Sequence, residues 1–150
     1  FALRTMQTFG PGTTELLAKL KIGIVGCSGT GSPIIEQLTR LGVGNLVLVD
    51  PDVVEEKNLN RILNTTLSDA IDGRTKVSVL DAVIKKIGLG TSVETHPYNL
   101  FEDVEALRSL AVCDVIFGCV DSIDGRHALN HLASFYLLPY FDVGVKLSAD

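Results

Sequence analysis

Apolar residues along this chain follow two periods in alternation. Short unbroken runs at 21–26 (KIGIVG), 45–50 (NLVLVD) and 114–120 (DVIFGCV) read as buried strands. Between them apolar residues recur at helical spacing. Ile34, Ile35, Leu38 and Leu41 share one face of a helix over 32–41, and Val77, Leu80, Val83, Ile84 and Ile87 share one face of a helix over 73–87. Pro33 sits in a first helical turn, where its missing N–H loses no partner, and Gly42 and Gly88 follow the last periodic residues as stops. Weaker patterns add a strand at 92–98, a short helix at 102–111, a helix at 124–137 and a last strand at 140–145. Segment 51–66 (PDVVEEKNLNRILNTT) breaks the alternation. It is polar, follows a strand, and reads as a functional loop or a loop with a short helix.

Strand, glycine turn, helix and strand in succession make a βαβ unit with parallel strands. Continued through the chain, the alternation predicts an α/β fold of the Rossmann-like, doubly wound kind, with a mainly parallel sheet and helices on both faces. Its 150 residues suffice for one domain, taken here as residues 1–150. The chain starts on Phe, not Met, and stops just past a strand, so further sequence is expected at the C-terminal side.

Composition narrows the function. A net charge of −5 gives no basic face for nucleic acid. No apolar run reaches transmembrane length, and the N-terminus lacks a signal-peptide core, so no membrane partner is expected. Three cysteines, Cys27, Cys113 and Cys119, form no C-x-x-C pair, which suits a reducing cytoplasm better than a disulfide framework.

Ligands of open parallel sheets bind beyond the C-terminal ends of the strands. Three clusters map there: the loop after Gly26, the segment from Asp50 and the segment from Asp121. The loop GCSGTGS has glycines spaced G-x-x-G-x-G, whereas the dinucleotide fingerprint is G-x-G-x-x-G, with Ser28 where the backbone would come closest to a pyrophosphate. Gly29 and Gly31 still allow N–H groups to face a phosphate at a helix start. Asp50, about 20 residues beyond the loop, is placed to accept from ribose hydroxyls. Asp52 either caps a turn or touches substrate. Arg61 can neutralise charge developing on phosphate. Lys76, early in its helix, opposes the helix dipole, and a nucleotide phosphate would compensate it. Asp121 can hold Mg²⁺, while Asp124 reads as the cap of the next helix. His127 and His131, four apart, could share a metal, but without the zinc-protease Glu they read as surface or packing residues. His96 carries no signal.

In order along the chain, these pieces resemble the ThiF/MoeB/HesA family, the adenylation fold of ubiquitin-activating enzymes. The residues that carry the likeness are Arg4 with Phe9-Gly10, GIVGCSGTGS, LGVGNL at 41–46, LVDPDVVEEKNLNR, Gly73 with Lys76, and Asp121, Arg126 and Asn130. Ser28 stands where the family commonly has a second Gly, and Ser122 where it has Asn. The resemblance implies ATP and Mg²⁺ as cofactors. It implies adenylation of the C-terminal carboxylate of a ubiquitin-like or sulfur-carrier protein or peptide, with release of pyrophosphate. It assigns Asp50 to the ribose, Gly26, Gly29 and Gly31 to the phosphate loop, Asn58, Arg61 and Lys76 to phosphates, and Asp121 to catalysis and Mg²⁺. Arg4 would reach the neighbouring subunit's site in a homodimer.

Two other readings compete. An NAD(P)-dependent oxidoreductase would use the glycine loop and Asp50 but gives no role to Arg61, Lys76 and Asp121. A non-catalytic partner subunit would be expected to lose those three.

Overall fold

The protein, seen in a computed structural model that describes residues 2–144, is built on five strands. They are β1 (Lys21–Val25), β2 (Asn45–Val49), β3 (Ser92–His96), β4 (Val115–Gly118) and β5 (Tyr140–Asp142). All pair in parallel, in the order β3-β2-β1-β4-β5. The chain therefore leaves β1 toward one edge, through β2 and β3, and returns to its other side at β4. The reversal point lies between β1 and β4, where a doubly wound sheet opens a crevice.

The sheet is covered on both faces, as predicted. Successive side chains of a strand point to opposite sides, so Ile22 and Ile24 of β1 join Leu46 and Leu48 of β2 beneath α3 (Gly31–Leu41) and α5 (Lys76–Ile87). Val25, Val47, Val49 and Ile116 face α6 (Val104–Ala111) and α7 (Ile123–Tyr136). Both layers bury aliphatic side chains completely, Ile35, Leu110 and Leu129 among them, and this burial dominates the stability of the domain. Gly42 and Gly88 end α3 and α5 in the left-handed region, at φ 85° and 71°.

The structure corrects the sequence reading in several places. Two helices, α1 (Leu3–Phe9) and α2 (Gly12–Leu17), precede β1 where none was expected. They pack on each other and leave Leu3, Phe9 and Leu16 exposed, so no buried stripe marked them. The helix expected over 73–87 begins at Lys76. Gly73 lies outside it in the left-handed region, and the Thr75 side chain caps it by accepting the Ser78 N–H. A separate short α4 (Leu67–Ile71) comes before, started by a reciprocal capping pair of Thr66 and Asp69. Asp124 does not cap α7. Ser122 does, accepting the Gly125 N–H at 3.1 Å. The end of the last predicted strand, at Val145, lies outside the described residues.

Segment 51–66 is pinned to the body. Val54, Asn58 and Ile62 are buried, and a 3-10 turn spans Glu56–Asn58. The Ser32 hydroxyl accepts the Leu63 N–H, and the Asn64 amide donates to Glu36 of α3.

Candidate functional site

A cleft of about 640 Å³ opens at the C-terminal ends of β1, β2 and β4. It is floored by Val25, Gly26 and Val49 and walled by the glycine loop, Asp50–Asp52, Arg61, Lys76 and the segment Cys119–Ser122. The three clusters expected to converge do so. A fourth wall went unread in the sequence: Asn99, Leu100 and Phe101, from the loop between β3 and α6.

Two glycines of the loop are required by geometry. Gly26 has φ 93°, and a Cβ there would stand 2.6 Å from the Cys119 carbonyl oxygen. A Cβ on Gly31 would overlap the carbonyl oxygen of Gly26. The loop thus folds tightly over the end of β1, with backbone where side chains would intrude. The start of α3 has no side-chain cap; its Ser32 N–H is taken by the Ser28 carbonyl and Pro33 has none, which leaves the backbone of Gly29 and Thr30 lining the cleft near the positive end of the helix dipole.

Asp50 is buried at the tip of β2. Its Oδ2 accepts the Cys27 N–H at 2.7 Å and its Oδ1 accepts the Asp52 N–H at 2.9 Å. The carboxylate therefore ties the glycine loop to the segment after β2. Burial pushes its pKa above the ordinary aspartate value, opposed by the Cys27 N–H and the Lys76 ammonium. Oδ2 keeps a further lone pair for an incoming hydroxyl, while Oδ1 also faces the Lys76 ammonium.

Lys76 is buried as well, with its ammonium 2.5 Å from Asp52 Oδ2 and 3.6 Å from Asp50 Oδ1. This corrects the sequence reading: the two carboxylates already compensate the cation at the helix start. An ammonium has three donors; two face these acids, which leaves one for a ligand. Asp52 thus holds Lys76 rather than capping a turn by its side chain.

Arg61 lies over the glycine loop. A Cβ on Gly29 would stand 3.3 Å from its aliphatic stem, and its Nη1 donates to the Lys57 carbonyl at 3.3 Å. The guanidinium is exposed at the cleft. Asn58 does not line the cleft. It is buried, its Oδ1 accepts the Glu55 N–H, and its carbonyl accepts the N–H of Arg61, so it builds the turn that presents Arg61. Asp121 stands exposed at the mouth, with no ion pair among the described residues. Arg4 is exposed on α1, away from the cleft lining.

Burial disfavours the thiolate form of all three cysteines. Burial raises Cys27 well above its ordinary value, and pushes Cys113 and Cys119 up to about 11. Cys119 lines the cleft as a neutral thiol. His96 is buried and bridges two acids, with Nδ1 3.0 Å from Asp103 and Nε2 3.1 Å from Glu94.

A domain model described as the ThiF family matches residues 2–148. The chain is 32% identical over 146 residues to a ubiquitin-like modifier-activating enzyme 5 of Drosophila sechellia, covering 90% of this chain and 35% of that protein. It is 32% identical over 136 residues to the adenylyltransferase and sulfurtransferase UBA4 of Meyerozyma guilliermondii, covering 89% of this chain and 31% of that protein. Its fold is similar to the E. coli tRNA N6-threonylcarbamoyladenosine dehydratase TcdA in complex with AMP. The TM-score is 0.84 at 25% identity, over 93% of this chain and 56% of that one. The chain thus spans about a third of the length of the curated relatives it matches.

Proposed function

This chain belongs to the ThiF family, and on that premise we propose that it adenylates a carboxylate with ATP. The carboxylate oxygen attacks the α-phosphorus, the bond to the bridging oxygen breaks, and pyrophosphate leaves, giving an acyl-adenylate. The observation that carries the reading is the single cleft in which the glycine loop, a buried strand-end acid and two cations converge.

Each residue has a task that its position supports. Gly26, Gly29 and Gly31 keep the loop low so that backbone N–H groups reach phosphate oxygens. Asp50 accepts from a ribose hydroxyl with the remaining lone pair of Oδ2. Leu100 and Phe101 supply an apolar wall for the base. Lys76 and Arg61 neutralise charge that grows on the phosphate oxygens in the transition state, Lys76 with the help of Asp52 and Arg61 on the turn built by Asn58. The donor set at the mouth fits Mg²⁺, a hard ion that takes one or two carboxylates plus phosphate oxygens: Asp121 would hold it. Mg²⁺ supplies charge neutralisation at the phosphates when bound.

The substrate in this reading is the C-terminal carboxylate of a ubiquitin-like or sulfur-carrier protein, or of a peptide, the class suggested by the ubiquitin-like modifier-activating relatives. Arg4 lies outside the cleft of its own chain and would complete the site of a second copy in a homodimer. ATP–pyrophosphate exchange on the full-length protein, with carrier peptides ending in Gly-Gly, tests the reading. Exchange is expected, and Asp121→Ala abolishes it. NAD binding without ATP binding would overturn it.

A further inference from the structure

One pair of side chains lies outside all of this machinery. His127 and His131 stand one turn apart on α7, both exposed. Their Nε2 atoms are 3.1 Å apart, and the rings meet edge to face with centroids at 4.4 Å. Without a ligand, one Nε2–H donates to the lone pair of the other, so the two rings hold opposite tautomers. Nothing else in the described structure asks for that arrangement. Two imidazole nitrogens on one tetrahedral ion, each with a bond of about 2.0–2.1 Å, would lie roughly 3.3 Å apart. The spacing seen here is within a few tenths of that. Because both rings are exposed, rotating them to converge their lone pairs disturbs no core packing.

We propose that His127 and His131 form a surface site for a divalent transition-metal ion of the Zn²⁺ class. Imidazole favours such ions over Mg²⁺, which prefers oxygen ligands, so the site differs in chemistry from the one at Asp121. The helix holds both ligands in place in advance: α7 is 14 residues long and capped at Ser122. His131 also lines an apolar hollow of about 430 Å³ with Leu107, Leu132, Phe135 and Tyr136. No third His, Cys, Asp or Glu is grouped with the pair among the described residues. The remaining positions on the ion are therefore taken by water or by an outside ligand. The hollow shares Leu100 and Phe101 with the main cleft, so the ion would sit beside the nucleotide site.

The test is a Zn²⁺ titration of the full-length protein against His127→Ala, His131→Ala and the double variant, by competition with a chromogenic chelator. Any zinc held elsewhere is common to all four proteins and cancels in the comparison. The double variant is expected to bind one equivalent less than the parent, and each single variant to lose affinity by about tenfold or more. With Cu²⁺ as probe, the parent should show electron paramagnetic resonance coupling to two imidazole nitrogens and the single variants to one. Equal Zn²⁺ stoichiometry and affinity in the parent and the double variant would overturn the proposal, as would a parent Cu²⁺ spectrum without that coupling. Both positions are exposed, so the thermal midpoint should not change and serves as the folding control.

Discussion

Gly31 and Lys76 illustrate how little room the site leaves. A methyl group on Gly31 would overlap the Gly26 carbonyl. Gly31→Ala should therefore destabilise the domain by about 1–3 kcal/mol in urea unfolding, and ATP affinity should fall with it because the loop must lift. Gly73, left-handed but with open space around its missing Cβ, is the control: Gly73→Ala should cost less and spare ATP binding. Lys76→Met leaves Asp50 buried beside Asp52 with no cation. Removing one partner of a buried pair typically costs about 3 kcal/mol or more, so both stability and exchange should drop. The cysteines give a different test. Because burial holds Cys113 and Cys119 at about 11 and Cys27 higher than its ordinary value, the native protein should react slowly with iodoacetamide near neutral pH. Rapid labelling of Cys119 would contradict the raised thiol and the geometry behind it.

At the scale of elements, the loop between β3 and α6 matters most, since it supplies Asn99, Leu100 and Phe101 to the cleft. It is clamped at both ends. His96 closes β3 and bonds Asp103, which also caps α6 by accepting the Ala106 N–H at 3.0 Å. The Ala106 N–H and His96 hold the Asp103 carboxyl below its ordinary value, against some desolvation. The sign of the linkage is fixed by that lowering. Folding stability from Asp103 is fully present above the unfolded aspartate value of about 3.9 and fades as pH falls through the lower folded value. Asp103→Asn should therefore flatten the acid limb of a stability–pH profile, measured by denaturant melts. It should also weaken nucleotide binding at neutral pH, by loosening the loop. None of this was legible in the sequence, because His96, Asp103 and Glu94 are joined by folding across β3 and α6. The elements themselves were mostly legible where they bury a stripe: β1, β2, α3, α6 and β4 lie within a few residues of expectation. α1, α2 and α4 were not, since short helices with little or no buried face leave no period to read.

For the whole molecule, the decisive feature is the order β3-β2-β1-β4-β5. It brings Asp50, Lys76 and Asp121 to one cleft although they lie far apart along the chain. Arg4 tests whether a second copy completes that cleft. Arg4→Ala and Asp121→Ala should each lose exchange alone. If subunits reassort, mixing the two in equal amounts should restore up to about a quarter of parental activity, since half the dimers are mixed and each holds one intact site. Failure to complement, with dimers demonstrated, would remove Arg4 from the site.

The sequence by itself determined the parallel α/β class and the family, because each rests on local period or ordered spacing. Tertiary structure alone decided the rest. It paired Lys76 with Asp50 and Asp52, put Asn58 behind Arg61, added the Asn99–Phe101 wall and set the His127 and His131 nitrogens 3.1 Å apart. Spacing along a chain fixes which residues share a face. Charge pairing, burial and ring rotamers depend on what the opposing element brings, and only the packed molecule specifies that.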